Sequence, residues 1–259
     1  MCYLPSDPVS DRGPVMGQGQ YDLGSVSVRR HGHDPATGVS QGFLGPDSSG
    51  RIPRFWAAVP DAGPGYRAGM DVRGWMTADL ASVRAKLTGG VLRLVPEERW
   101  HEQADGGGAT ISGLVLHLVR HHDLAVNTVI RDHEPLFLAH RTALGLDAHS
   151  PAVGLSEQED RAATAGLPAA ALVAYLEAVF DRTADWMAPL GSMVLDHTPP
   201  AAARLSRLAG LDHDEVPWLF GMWTDQPLWW LVQWPVIGHG HTHVGEAVSI
   251  RNRMGLSPF

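Results

Sequence analysis

Apolar residues recur three and four positions apart in four separate stretches, and no stretch alternates with the period of two that a half-buried strand needs. From Met76, the positions Leu80, Val83, Leu87, Val91 and Leu94 predict a first helix with Thr77 as its N-cap. Gly89-Gly90 predicts a bend or a division in it, because glycine is a poor helix former. The second helix is expected from Thr110 to Arg131, with Ile111, Leu114, Val115, Leu118, Leu124, Ala125 and Val129 on its apolar positions. A third is expected from Pro168, a good first-turn residue, to Met187. Its stripe is Leu172, Tyr175, Leu176, Val179, Phe180, Thr183 and Met187. The last runs from Trp234 to Gly255. Arg251 and Arg253 suit its negative end, Gly255 a left-handed cap, and Pro258 comes soon after.

Long connections separate these helices, over residues 132–167 and 191–237. Links of that length cross a fold rather than turn a corner. The pattern therefore predicts an all-α chain, a four-helix bundle with long crossover connections over residues 71–259. Residues 1–70 are rich in Gly, Pro, Ser and Asp without periodicity, and predict an irregular N-terminal extension. His31 and His33 within it have nothing around them to set a geometry. The second connection holds Trp218, Trp223, Trp229, Trp230 and Trp234. Most are expected to fill the core, and one or two to line a ligand pocket.

Composition narrows the functional classes. The net charge of −8 argues against nucleic-acid binding through a basic surface. Cys2 is the sole cysteine, which excludes an internal disulfide and a cysteine-based zinc site. The longest apolar run, Leu228 to Ile237, is about half a membrane span and is broken by Gln233 and Pro235. With no basic-then-apolar leader, the expectation is a soluble cytoplasmic protein with no membrane partner. No glycine-rich phosphate loop and no G-x-S-x-G motif is present.

Histidines then become the candidate chemistry. His239 and His243 lie four apart on the last helix, about 40° apart around its axis and about 6 Å along it, so both rings reach one point. His241 points away from them. Neutral imidazole is a good ligand for zinc and similar ions, so an inward-facing pair suggests a metal site. On the second helix His117 and His121 repeat the spacing, with His122 next in line; spacing alone does not choose between His117 and His121.

Two passages resemble the DinB-like family of four-helix metalloproteins, which includes mycothiol and bacillithiol S-transferases and, more distantly, a mycothiol-dependent maleylpyruvate isomerase. One is Ser112 to Arg120 with Leu124-Ala125-Val126-Asn127 after it; the other runs from His239 through His243-Val244-Gly245-Glu246 to Arg251. The resemblance covers roughly residues 75–259 and implies His117, His239 and His243 as metal ligands. Val244 stands where the family usually has a basic residue, Gly238 and Gly240 loosen the helix start, and the first 70 residues have no counterpart.

Three neutral imidazoles leave a divalent ion its full charge and an open coordination position. A thiol bound there loses its proton and gains nucleophilicity. The resemblance thus implies a metal-dependent S-transferase joining a small thiol to an electrophilic small molecule, with Zn2+ as the metal and Ni2+ or Fe2+ as alternatives. An arginine-heavy composition with Lys86 as the one lysine points to a GC-rich source, and so to mycothiol as cosubstrate. Glu246, one turn past His243, is the candidate catalytic carboxylate, as an acceptor orienting a histidine ring; the alternative is an ordinary helix carboxylate. A thiol-dependent isomerase and a non-enzymatic metal-binding stress protein are the other two readings. For the last, a fourth protein ligand, His121 or Glu246, would close the site. A homodimer is left open.

Overall fold

The structure is a computed structural model that describes residues 71–146, 162–190 and 195–259. The extension expected over residues 1–70, with Cys2, His31 and His33, lies outside them. Within the described residues the chain is helical and holds no strand.

Helix α1 spans Val72–Leu87 and continues as a wider π turn over Thr88–Leu92. It begins earlier than Thr77. Asp71 is the N-cap, its Oδ1 accepting from the Gly74 amide at 2.7 Å, and a carboxylate also suits the positive helix end. Gly89-Gly90 neither ends the helix nor splits it; the chain passes through the pair as the π turn. That shift moves Leu94 to the surface and buries Val95 in its place.

Helix α2 spans Ile111–Asp123 and runs on as a π segment over Leu124–Ile130. Thr110 caps it, accepting from the Gly113 amide at 3.0 Å. At its far end Arg204 donates to the carbonyls of Val129 and Ile130 at 2.6 and 3.2 Å, groups that a helix end otherwise leaves unpaired. After a short helix α3, Phe137–His140, comes α4, Ala169–Met187. Its buried residues coincide with the expected stripe from Leu172 to Met187.

The connection expected over 191–237 is largely helical instead. It holds α5, Ala201–Ala209; α6, Pro217–Trp223; and α7, Leu228–Val232. Each is shorter than three turns, too short for a period to show, and each has a proline at or just before its first residue. A π turn over Gln233–Gly238 joins α7 to the last helix, α8, His239–Arg253. Pro235 has no amide to donate, and the wide turn absorbs it without ending the helix.

Each of the four long helices packs on two others: α1 on α4 and α8, and α2 on α4 and α8. Arg84 ties α1 to α4 through Glu177 and through Asp181 at 2.7 Å. On the α2–α4 seam, Asp123 is fully buried and accepts four hydrogen bonds. They come from Tyr175 Oη at 2.7 Å, Asn127 Nδ2 at 2.8 Å, and the amides of Leu136 and Phe137 at 3.0 and 2.8 Å. Buried Arg120, one turn back, lies 3.8 Å over the Phe137 ring. Arg251, expected as a helix-end charge, is buried too and donates to the Gly90 carbonyl at the π turn after α1.

Candidate metal centre

The centre lies where α2 meets α8. Thr110 sets the start of α2 and the Pro235 turn sets the phase of α8, so His117 and His121 on one helix face His239 and His243 on the other. His239 is at the middle: its Nε2 is 3.1 Å from His117 Nε2 and 3.0 Å from His243 Nε2. His121 belongs to the cluster as well. Ligand atoms of His117, His121 and His239 all lie within 4.8 Å of one another, close enough to hold a metal ion. The His121 ring is 4.5 Å from that of His117 and 4.7 Å from that of His239.

The donor set fits such an ion. Nitrogens bound tetrahedrally at about 2.0–2.1 Å are about 3.3 Å apart, within a few tenths of an ångström of the 3.1 and 3.0 Å separations from His239 Nε2. Among the described residues, the buried His121 Nε2 has no hydrogen-bond partner. Such a nitrogen is costly unless something takes its lone pair. His243 is held from behind: Glu246 Oε2 is 3.0 Å from its Nδ1. That contact fixes the proton on Nδ1 and turns the Nε2 lone pair toward His239. It also holds the Glu246 carboxyl below its usual range.

Burial and neighbouring charge favour the neutral form of His117, His121 and His239. Burial first, and then the charge of His243, lower His117 to about 3 and His239 to about 2. Burial and its three imidazole neighbours depress His121 well below its ordinary value. Neutral imidazole is the form that ligates. Accessibility is uneven: His121 and His243 are buried at 5 % and 3 % exposure, while His117 and His239 are half-buried and reached by solvent.

No protein-family model, no curated protein and no solved structure matches the chain. The centre therefore rests on its own geometry. Of the three expected ligands, His117 and His239 fall with His121 in the group close enough to hold one ion, while His243 lies beside that group with its Nε2 3.0 Å from His239 Nε2, and Glu246 lies against the His243 ring. His121, which spacing alone could not separate from His117 and which the resemblance left out of the ligand set, is the fourth ring. Its spacing from His117 was visible, but which of the two faces α8 depends on the rotation of α2.

The remaining histidines are elsewhere. His122 is fully buried on the α4 side, its Nε2 2.8 Å from Thr183 Oγ1, and burial lowers it to about 3. His241 lines an open groove with Lys86, Gly90 and Val248. Of the tryptophans, Trp223 is buried edge-on to His121, and Trp218 stacks on His121 with centroids 5.6 Å apart and planes at 23°. No helix among the described residues is long and apolar enough to cross a membrane.

Proposed function

We propose that this chain is a cytoplasmic, metal-dependent S-transferase of the DinB-like kind, and that it joins a small thiol, mycothiol first, to an electrophilic small molecule. The single observation that supports the reading is the approach of His117 Nε2 and His243 Nε2 to His239 Nε2, at 3.1 and 3.0 Å, beside a His117–His121–His239 group close enough to hold an ion. His117, His239 and His243 would hold a divalent cation, zinc by donor preference. Bound there, the cation supplies a Lewis acid that favours the thiolate form of a thiol. The four long helices, each packed on two others, are the framework a four-helix bundle requires.

The chain's residues do the rest. Glu246 keeps the His243 ring in the tautomer that presents Nε2. Half-buried His117 and His239 border the side from which solvent, and so a thiol, reaches the centre. Sulfur then attacks the electrophilic carbon. The carbon–sulfur bond forms as the bond to the leaving group breaks, and the thiol proton passes to solvent. The test is turnover of mycothiol with a thiol-reactive electrophile at defined metal content. A rate proportional to bound metal, lost in His239→Ala, is expected. A rate at the uncatalysed level whatever the metal content would sink the proposal.

One observation favours a second reading. His121 Nε2 is buried, unpartnered and close to the same point, so four imidazoles could close the site and make it structural. Loading with Co2+ separates the two. An open position gives a sulfur-to-cobalt charge-transfer band when thiol is added. A closed one gives none until His121→Ala vacates it.

A further inference from the structure

The indole of Trp218 sits beside the imidazole cluster without being needed to fill the core. Helix α6 carries it so that its ring stacks on His121, which in turn lies 4.7 Å from His239. Its neighbour Trp223 is 1 % exposed and Trp218 is 38 % exposed, although both touch His121. Met222, one turn along the same face of α6, is equally exposed at 38 %. On the other helix, Trp234 approaches His239 edge-on at 6.5 Å. Gly238 leaves it room, since a Cβ there would stand 3.2 Å from Trp234 Cε3. Two indoles thus flank the four imidazoles, and the more open one leaves a large apolar surface in water.

We infer that Trp218 is the platform of a subsite for a planar aromatic ring, and that the small molecule handled at this centre carries such a ring. The inference rests on the proposed function only in needing a coordination position that an outside ligand can reach. An indole face takes a second ring by offset stacking, and covering it removes apolar area from water. A cation would also stack on indole, but His121 is all that separates Trp218 from the place of a divalent ion, and like charges that close repel. A neutral aromatic ring escapes that repulsion.

The test uses two probes with the same donor, imidazole and 4-phenylimidazole, titrated into the full Co2+-loaded chain and monitored by the visible cobalt spectrum. The phenyl compound is expected to bind the wild type about tenfold more tightly. Trp218→Ala should remove most of that ratio, Trp218→Phe should keep most of it, and plain imidazole should bind all three chains alike. Unchanged imidazole affinity and an unchanged cobalt spectrum show that His121 has not simply moved. Equal affinities in the wild type, or a ratio that survives Trp218→Ala, overturn the inference. So does binding of neither probe, which means that no position is free. A wild-type dimer that Trp218→Ala dissolves would assign the exposed indole to a second copy and overturns it too. The phenyl preference in a protein with no S-transferase activity would leave this subsite standing and dispose of the proposed reaction.

Discussion

Glu246 touches its histidine and not the ligand position. Its Oε2 reaches the far nitrogen of the His243 ring, 3.0 Å away, so its effect on a bound metal passes through that ring. Glu246→Gln keeps the shape and removes the charge. It is expected to weaken metal affinity about 10- to 100-fold, the range for lost partners of ligating histidines. Competition against a chelating dye measures it, with His241→Ala as a control that leaves affinity alone. This contact, like the pairing of His239 with His243, is confined to one turn of one helix, and it was legible from spacing in the sequence. The place of His121 was not, because it depends on rings carried by other helices.

At the scale of elements, the α1–α8 contact is set by an absence. A Cβ on Gly240 would come within 2.9 Å of Val83 Cγ1, a stiff β-branched side chain with nowhere to swing. Gly240→Ala should therefore cost about 1–3 kcal/mol in chemical denaturation, and Val83→Ala should recover part of it in the double variant. Along the sequence Gly240 loosens the start of a helix; in the fold it lets two helices approach. The α2–α4 contact depends on the Tyr175–Asp123 hydrogen bond. Burial, then the Asp123 charge, hold the Tyr175 phenol well above its ordinary value. The unfolded chain releases this proton above about pH 10 and the folded chain keeps it, so stability must fall as pH rises past about 10. Tyr175→Phe is expected to lose that part of the alkaline slope, up to about 1.4 kcal/mol per pH unit, in urea melts from about pH 9 to 11. At neutral pH it should cost about 1–3 kcal/mol, because a carboxylate loses a buried donor.

For the whole molecule, a metal bridging α2 and α8 couples ligand to stability. A cation that binds the folded chain and not the unfolded one stabilises it by about 2.7 kcal/mol at about a hundred times its dissociation constant. Stripping metal with a chelator should lower the melting temperature, and adding it back should restore it. His239→Ala should melt at one temperature with or without metal. A wild-type melting temperature indifferent to zinc would mean that the four rings pack without an ion.

The sequence alone determined what is local: the helical class, the stripe from Leu172 to Met187, the start of a helix at Thr110, and the pairing of histidines within each helix. Periods of three and four, and a cap three residues from its partner, are properties of one stretch of backbone. Tertiary structure decided what depends on rotation and distance between helices. The π turns at Gly89-Gly90 and Pro235 rotate the residues beyond them about the helix axis, which surfaced Leu94 and aimed α8. Packing of α2 against α8 brought in His121, and α6 placed Trp218 on it; no spacing along the chain encodes a meeting between rings on separate helices.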